Sequence, residues 1–456
     1  MSATTVRPPR SRTLGVDRRP LAVPAFRRMW IASVICAVGG SFSVVAVPTQ
    51  LFRVSGSSAA VGAAAGVSFA ALVAAALGSG ALADVMDRRT ILLAADLSLA
   101  LTYAALWAQA SLGGRSVPVL LVAVAFQGLA YGTVMTTTGA AVPRLVPAEL
   151  LPAANSLSSL VRYGGSVLGP MLAGVLVPVV GLGMLYLFDA VALLAVVWAV
   201  AMLPPLPPES AADGGRGSSV ARRTSAGFRH LASDRLLVAV LAVDLAAMVF
   251  GMPSALFPEL ARHVFGGTAG GPETGLLYAA YPAGVFAAGL LSGTFTRARR
   301  HGALVAGAAV AWGLAVVLAG LAAELWIALA ALALGGAVNF VLSTFRTTIV
   351  QTHTGDVVRG RVQGALTVVL VGGPQIANVL HGAAGAEYGP RVVICAGGLL
   401  TVTTVAAIAW AIPRLRRYTA PEPGPVSGPV AALTSSAAPG DRVRPAPASR
   451  ARAGLR

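Results

Sequence analysis

The sequence predicts an all-α membrane protein of 12 transmembrane helices in two pseudo-symmetric six-helix bundles. Three observations predict it. The first is composition. Of the 456 residues, 56% are hydrophobic and only 11% are charged, whereas a soluble chain carries roughly a quarter charged residues. The second is run length. A hydrocarbon core of about 30 Å takes about 20 apolar residues per helix, and several runs reach that length, Ala59 to Leu82 without a single charge. The third is an internal echo. AVPTQLF (Ala46 to Phe52) is answered by GMPSALF (Gly251 to Phe257), the Gly80 loop by GTFTRARR from Gly293, and Gly169-Pro170 by Gly373-Pro374. The three pairs keep one order at offsets of about 200 residues, the mark of duplicated halves with a binding site at their interface.

Apolar length and Gly, Pro and Arg punctuation divide the chain. An arm, 1–28, is rich in Arg and Pro and reads as disordered. Spans follow at 29–52, 59–82, 90–111, 117–138, 156–178 and 181–203, forming a first bundle over 29–203. A polar linker occupies 204–234. The second bundle, 235–412, holds spans 235–258, 275–295, 303–322, 325–348, 360–382 and 391–412. The tail, 413–456, lacks the apolar surface to fold and reads as disordered. Arginine sets the orientation. With both ends inside, inner segments hold Arg88, Arg89, Arg144, Arg222, Arg223, Arg297, Arg299, Arg300, Arg359 and Arg361. Outer loops hold only Arg53, Arg115, Arg262 and Arg391. Positive residues gather on the cytoplasmic side, so both termini are expected in the cytoplasm. Trp30, Trp107, Trp326 and Trp410 near span ends fit interfacial anchors, while mid-span Trp312 fits packing.

The net charge of +17 first suggests nucleic acid. The chain has no lysine, and its arginines sit in tails and short loops where lipid headgroups attract them, so no nucleic-acid partner is expected. Without lysine there is no GxxxxGK[ST] loop, which excludes an ATP-driven pump within this chain. Cys36 and Cys395 each lie in an apolar run and read as small apolar side chains. His230, His263, His301, His353 and His381 are scattered without HExxH. No enzyme, cofactor or metal site is expected. The N-terminal apolar run is too long for a signal core. A membrane sensor or scaffold would want a soluble domain, and no segment is long enough for one.

Five stretches carry a resemblance. GALADVMDRR (Gly80 to Arg89) has a Gly, an Asp four later and paired basic residues; GSVLGPMLAG runs from Gly165 to Gly174. LVPAELLPAANSLSSL, VDLAAMVFGMPSALFPELA and TGLLYAAYPAGVFAAGLLSG add longer matches. Together they resemble the major facilitator superfamily, from about Trp30 to Pro413, and within it the enterobactin-exporter-like, drug-efflux branch of transmembrane secretion effectors. Two features depart from the family pattern. Val85 follows Asp84 where an Arg is usual, and Asp87 stands where a Gly often does. AFQGLAYG in the fourth span carries Gln127 and lacks the Arg of many proton-coupled exporters.

The charge knot reads as a cytoplasmic gate loop: Gly80, Asp84, Asp87, Arg88 and Arg89. Gly80 permits close helix approach. Asp84 suits a helix N-terminus, which the resemblance places at the eleventh span. Contacts of about 0.5–2 kcal/mol suit a latch that must open every cycle. The alternative, that Arg88 and Arg89 only fix topology, stays open. Gly165, Gly169, Pro170 and Gly174 fall near one face of the fifth span, where the resemblance implies an exporter motif that seals one gate against the other. Ionisable groups in hydrocarbon are costly and mark function. The three candidates for proton coupling are Asp244, Asp189 and Asp96. Asp244 ranks first because the resemblance puts the seventh span on the central cavity. Substrate-cavity candidates are Gln50, Gln127, Tyr131, Pro253, Tyr278, Tyr281, Asn339 and Arg346, a set suited to an amphiphilic solute. Arg346 is expected to anchor to lipid or Asp356.

The expectation is a secondary transporter of the bacterial inner membrane, working as a monomer. It would export a drug, siderophore or secondary metabolite by alternating access in exchange for protons, with the proton gradient as its energy source. A facilitator-type importer is the rival, since fold does not decide direction.

Overall fold

The computed structural model describes residues 18–83, 86–147, 150–205, 229, 231–291, 295, 298–354 and 356–419. Helices fill these residues, with no strand among them. After a 3-10 turn at Arg19–Ala22 come α1 (Pro24–Gly39), α2 (Ser43–Ser55), α3 (Ser58–Ala83), α4 (Arg88–Ser111), α5 (Val117–Leu145) and α6 (Leu151–Ala201). The second half holds α7 (Arg235–Gly251), a 3-10 turn (Ser254–Leu256), α8 (Phe257–His263), α9 (Pro272–Leu290), α10 (His301–Leu321), α11 (Leu325–Thr352), α12 (Asp356–Tyr388), α13 (Pro390–Ala411) and α14 (Pro413–Arg417). Among the described residues, 9 segments are long and apolar enough to cross a membrane.

Local chemistry fixes the helix starts. Pro24, Pro272 and Pro390 open α1, α9 and α13, where a missing N–H costs nothing. Asp87 and Asp234 cap α4 and α7, their carboxylates accepting from Arg89 N and Leu236 N, each at 2.8 Å.

The core divides as the internal echo implies. The largest buried cluster draws every fully buried member from between Leu231 and Leu415. A second, centred on Phe52, Leu106 and Tyr186, takes only Ala255 and Ala269 from beyond residue 203. Small residues bring helices together in matching places, as expected in hydrocarbon, where packing replaces the hydrophobic drive. On the first side Gly132 of α5 lies against Leu72 of α3; on the second Gly336 of α11 lies against Tyr281 of α9. Gly169 faces Ser41 while Gly373 faces Met248, so the echoed Gly-Pro pairs occupy equivalent seats.

The structure corrects several boundaries. The first span is two helices, because Gly39-Gly40-Ser41 turns the chain; a Cβ at Gly40 would meet Cys36 O at 2.7 Å. The fifth and sixth spans keep their expected division: α6 is two helical limbs that meet at Gly181, whose φ of 80° and ψ of 165° are non-helical and are adopted readily only by glycine. The seventh breaks at Met252-Pro253, since proline has no N–H to continue the ladder. Gly80 lies inside α3 rather than starting a loop. The arm is ordered from Arg18, with Phe26 buried, and the tail forms α14 over Pro413–Arg417, pinned by buried Leu415. Asp84, most of the 204–234 linker, and 420–456 lie outside the described residues.

Candidate functional site

Two broken helices build the site. α2 begins at the Gly40 turn, and its first N–H groups have no partner within the helix. Asp189, on the limb of α6 beyond Gly181, supplies one: Oδ1 accepts from Phe42 N at 3.1 Å and Oδ2 from Ser43 N at 2.7 Å. In the second half, Asn378 of α12 does the same at the Pro253 break. Its Oδ1 accepts from Ser254 Oγ at 2.7 Å and Ala255 N at 3.0 Å. The Tyr278 hydroxyl donates to Ser254 O at 3.0 Å.

Between these breaks lies a cavity of about 250 Å³, walled by both halves. α2 contributes Ser43, Val44, Val47, Pro48 and Leu51; α3 contributes Val61, Ala64, Ala65 and Ser68; α5 contributes Val124 and Gln127. From the other side come Ser254, Ala255, Tyr278, Gln375 and Asn378. The wall is apolar with a few amides and hydroxyls, the usual make-up of a small-molecule pocket. No described side chain on it is charged. Nor do His, Cys, Asp and Glu cluster closely enough to hold a metal among the described residues.

Backbones close one end. A Cβ at Gly174 of α6 would sit 2.9 Å from Gly275 Cα of α9, and one at Gly382 of α12 would sit 2.9 Å from Gly62 Cα of α3. Ser58 Oγ donates to Gly382 O at 3.2 Å. The Arg53 guanidinium at the end of α2 donates to Ala269 O through Nε at 2.9 Å and Nη2 at 2.5 Å. All four contacts join the two halves at what we term the glycine end. The opposite, arginine end carries ties within the halves. Arg89 donates to Ala201 O, the last residue of α6, and Arg28 Nη1 to Met202 O at 3.4 Å.

A family model described as transmembrane secretion effector matches residues 17–432. The chain belongs to this family. Among curated relatives, the enterobactin exporter EntS of Citrobacter koseri is 28% identical over 407 residues, 89% of this chain and 96% of that protein. EntS of Shigella flexneri is 28% identical over 395 residues, 87% and 93% of the two chains. Solved structures agree on the fold. The nucleoside transporter NupG aligns with a TM-score of 0.67 at 14% identity, covering 86% of this chain and 99% of that one. A bacterial homologue of the lysosomal transporter Spinster, inward-facing and unoccupied, gives 0.61 at 16% identity, covering 87% and 98%. This secretion effector is therefore a multi-pass membrane transport protein of the major facilitator fold, as expected, and not an enzyme.

The sequence candidates separate on this map. Gln127 and Tyr278 line the cavity, and Pro253 makes the break beside it. The other proposed cavity groups do not line it. Gln50 is buried against Gln109 at 2.9 Å and Tyr186 at 2.7 Å. Tyr281 and Asn339 bond each other at 3.1 Å inside the second half. Tyr131 is exposed. Arg346 contacts neither cavity nor lipid: it is buried, with Nη1 2.7 Å from Asp244 Oδ2. The expectation of lipid anchoring fails because burying an unpaired carboxylate is costlier than pairing it. Asp96 is buried in α4. In the helix-five stretch, Gly165 and Gly169 face α1 and its turn at Ala37 and Ser41, and Gly174 faces α9, with Pro170 O close to Gly275. In the gate loop, Asp87 and Arg89 are used inside the first half; Arg88 starts α4. Sequence reading missed Ser43, Ser254, Gln375, Asn378 and Arg53. Gln375 and Asn378 left a signal, two amides spaced for one helix face in an apolar span. The others left none.

Proposed function

We propose that this secretion effector exports a small amphiphilic molecule, of siderophore or lipophilic-drug type, by alternating access, with protons moving inward in exchange. The cavity carries the reading. It lies between the halves, is mostly apolar, and is cut off at one end by contacts in which glycine backbones of one half meet those of the other. Such contacts are small and apolar enough to part and re-form. The relatives support export, since both are enterobactin exporters. The arginine end, which holds Arg28, Arg88, Arg89, Arg300 and Arg414, fits the cytoplasmic side. On this reading both termini face the cytoplasm and the glycine end faces outward. The cavity of about 250 Å³ falls just under the ~300–1,000 Å³ of pockets that enclose drug-sized ligands, so a larger substrate enters a widened state. A monomer suffices, because one chain supplies both walls.

Expression in a host stripped of its own siderophore and drug exporters tests this. Export yields secreted siderophore or raised resistance to one member of a drug panel. Inverted vesicles with an acid interior should accumulate that compound, and a protonophore should abolish it. Higher accumulation by intact cells than by vector controls contradicts export and favours the importer.

A further inference from the structure

The two buried carboxylates that interact with named partners do so differently. Asp244 has its own cation, with Arg346 Nη1 at 2.7 Å. Asp189 is 0% exposed and has no cation among the described residues: both oxygens accept from the first N–H groups of α2, and the Ser43 side chain bonds it as well. The titratable groups that face it are Cys36 of α1, Tyr103 of α4 and Tyr186 of its own helix, with Asp96 beyond Cys36; none is cationic. Peptide dipoles at a helix start offset part of the cost of burying a carboxylate. The helix so held is a wall of the cavity, and Ser43, whose N–H makes the 2.7 Å bond, lines it.

We infer that Asp189, not Asp244, is the residue through which protonation moves the cavity wall. When ionised, its two oxygens accept two N–H bonds and fix the start of α2. A proton bound to either oxygen removes the negative charge and fills one of that oxygen's acceptor sites with an O–H donor. The N–H bond to that oxygen weakens from charge-assisted to neutral, and the hold on α2 at the Gly40 turn loosens. Loss of the proton to water on the other side restores both bonds. Arg346 holds Asp244 as a fixed part of the second half. Asp189 is thus a positioning residue for the wall, and the assignment rests on the proton-exchange reading above.

Val44 is 52% exposed on the cavity wall one residue past the bond. A bimane label at Val44→Cys, in the full chain with Cys36→Ala and Cys395→Ala, reconstituted in liposomes, reads the wall directly. The emission maximum should shift in one sigmoidal step between pH 5 and 9. The step should persist in the double variant Asp244→Leu/Arg346→Met, which strands no charge, and vanish with Asp189→Asn, whose spectrum stays at the acid limit. Asp189→Glu should keep the step at a moved midpoint. A flat parent, a step surviving Asp189→Asn, a step lost in the double variant instead, or an unmoved Asp189→Glu midpoint each overturn the assignment, so a poorly folding Asn variant does not shield it. The titration uses no substrate. A wall that shifts in a chain that exchanges no protons contradicts the transport reading and leaves this one standing.

Discussion

Arg346 Nη1 stands 2.7 Å from Asp244 Oδ2, joining α11 to α7 across 102 positions of sequence. Both side chains are buried, at 7% and 2% exposure. A buried pair adds little net stability, but removing one partner strands the other charge at a cost of about 3–5 kcal/mol. Asp244→Leu and Arg346→Met should each sharply lower the detergent unfolding temperature, and the double variant should recover most of the loss. Thermal unfolding followed by size-exclusion elution checks this. Single variants as stable as the parent would refute it.

Trp312 is 1% exposed and donates from Nε1 to Ala247 O at 2.9 Å. Its ring lies on Gly335, where a Cβ would strike it, whereas a Cβ at Gly307 on the same helix as Trp312 meets nothing within 4 Å. Gly335→Ala should therefore destabilise by about 1–3 kcal/mol. Gly307→Ala should be neutral or gain up to about 1 kcal/mol of helix propensity. The same unfolding assay compares them, and equal effects would contradict the packing described.

Arg53 bonds Ala269 O through two nitrogens. Hydrogen bonds to a charged group are worth about 1.5–3 kcal/mol, enough to shift a two-state balance tenfold or more. Arg53→Ala should favour opening of the glycine end. A cysteine at Thr49, buried beside Gly270, should then react at least about tenfold faster with a membrane-impermeant maleimide. An unchanged rate would show that Arg53 is not a latch.

Gly174 tolerates no side chain against Gly275. Gly174→Leu should fold, because the two halves have their own cores, yet fail to close. Loss of transport with near-parent stability is the expected pairing. Full transport by Gly174→Leu would remove these glycines from the gate.

Much of the fold was legible because bilayer thickness fixes helix length, and proline and glycine punctuate it. The echo of Gly169-Pro170 in Gly373-Pro374 reports equivalent packing seats. The helix breaks were not legible. The Gly40 turn sits inside a run with no charge, where Gly and Ser are tolerated within membrane helices, and such helices reveal breaks only through what caps them. Asp189 lies 147 positions from Phe42 and Asn378 lies 123 from Ala255, so no local pattern announces either cap. Asp244 was singled out as a costly charge and Arg346 as a cavity group, but neither reading reveals that the two neutralise each other.

The central claim is that the halves part and rejoin at the glycine end around one cavity. Spin labels at Ser55→Cys and Glu387→Cys, both exposed near that end, in a chain without Cys36 and Cys395, measure it by double electron-electron resonance. Two distance populations should appear, with their ratio moving as pH falls and toward the longer one in Arg53→Ala. A single distance, unchanged by pH or by Arg53→Ala in a chain that still transports, would contradict the account.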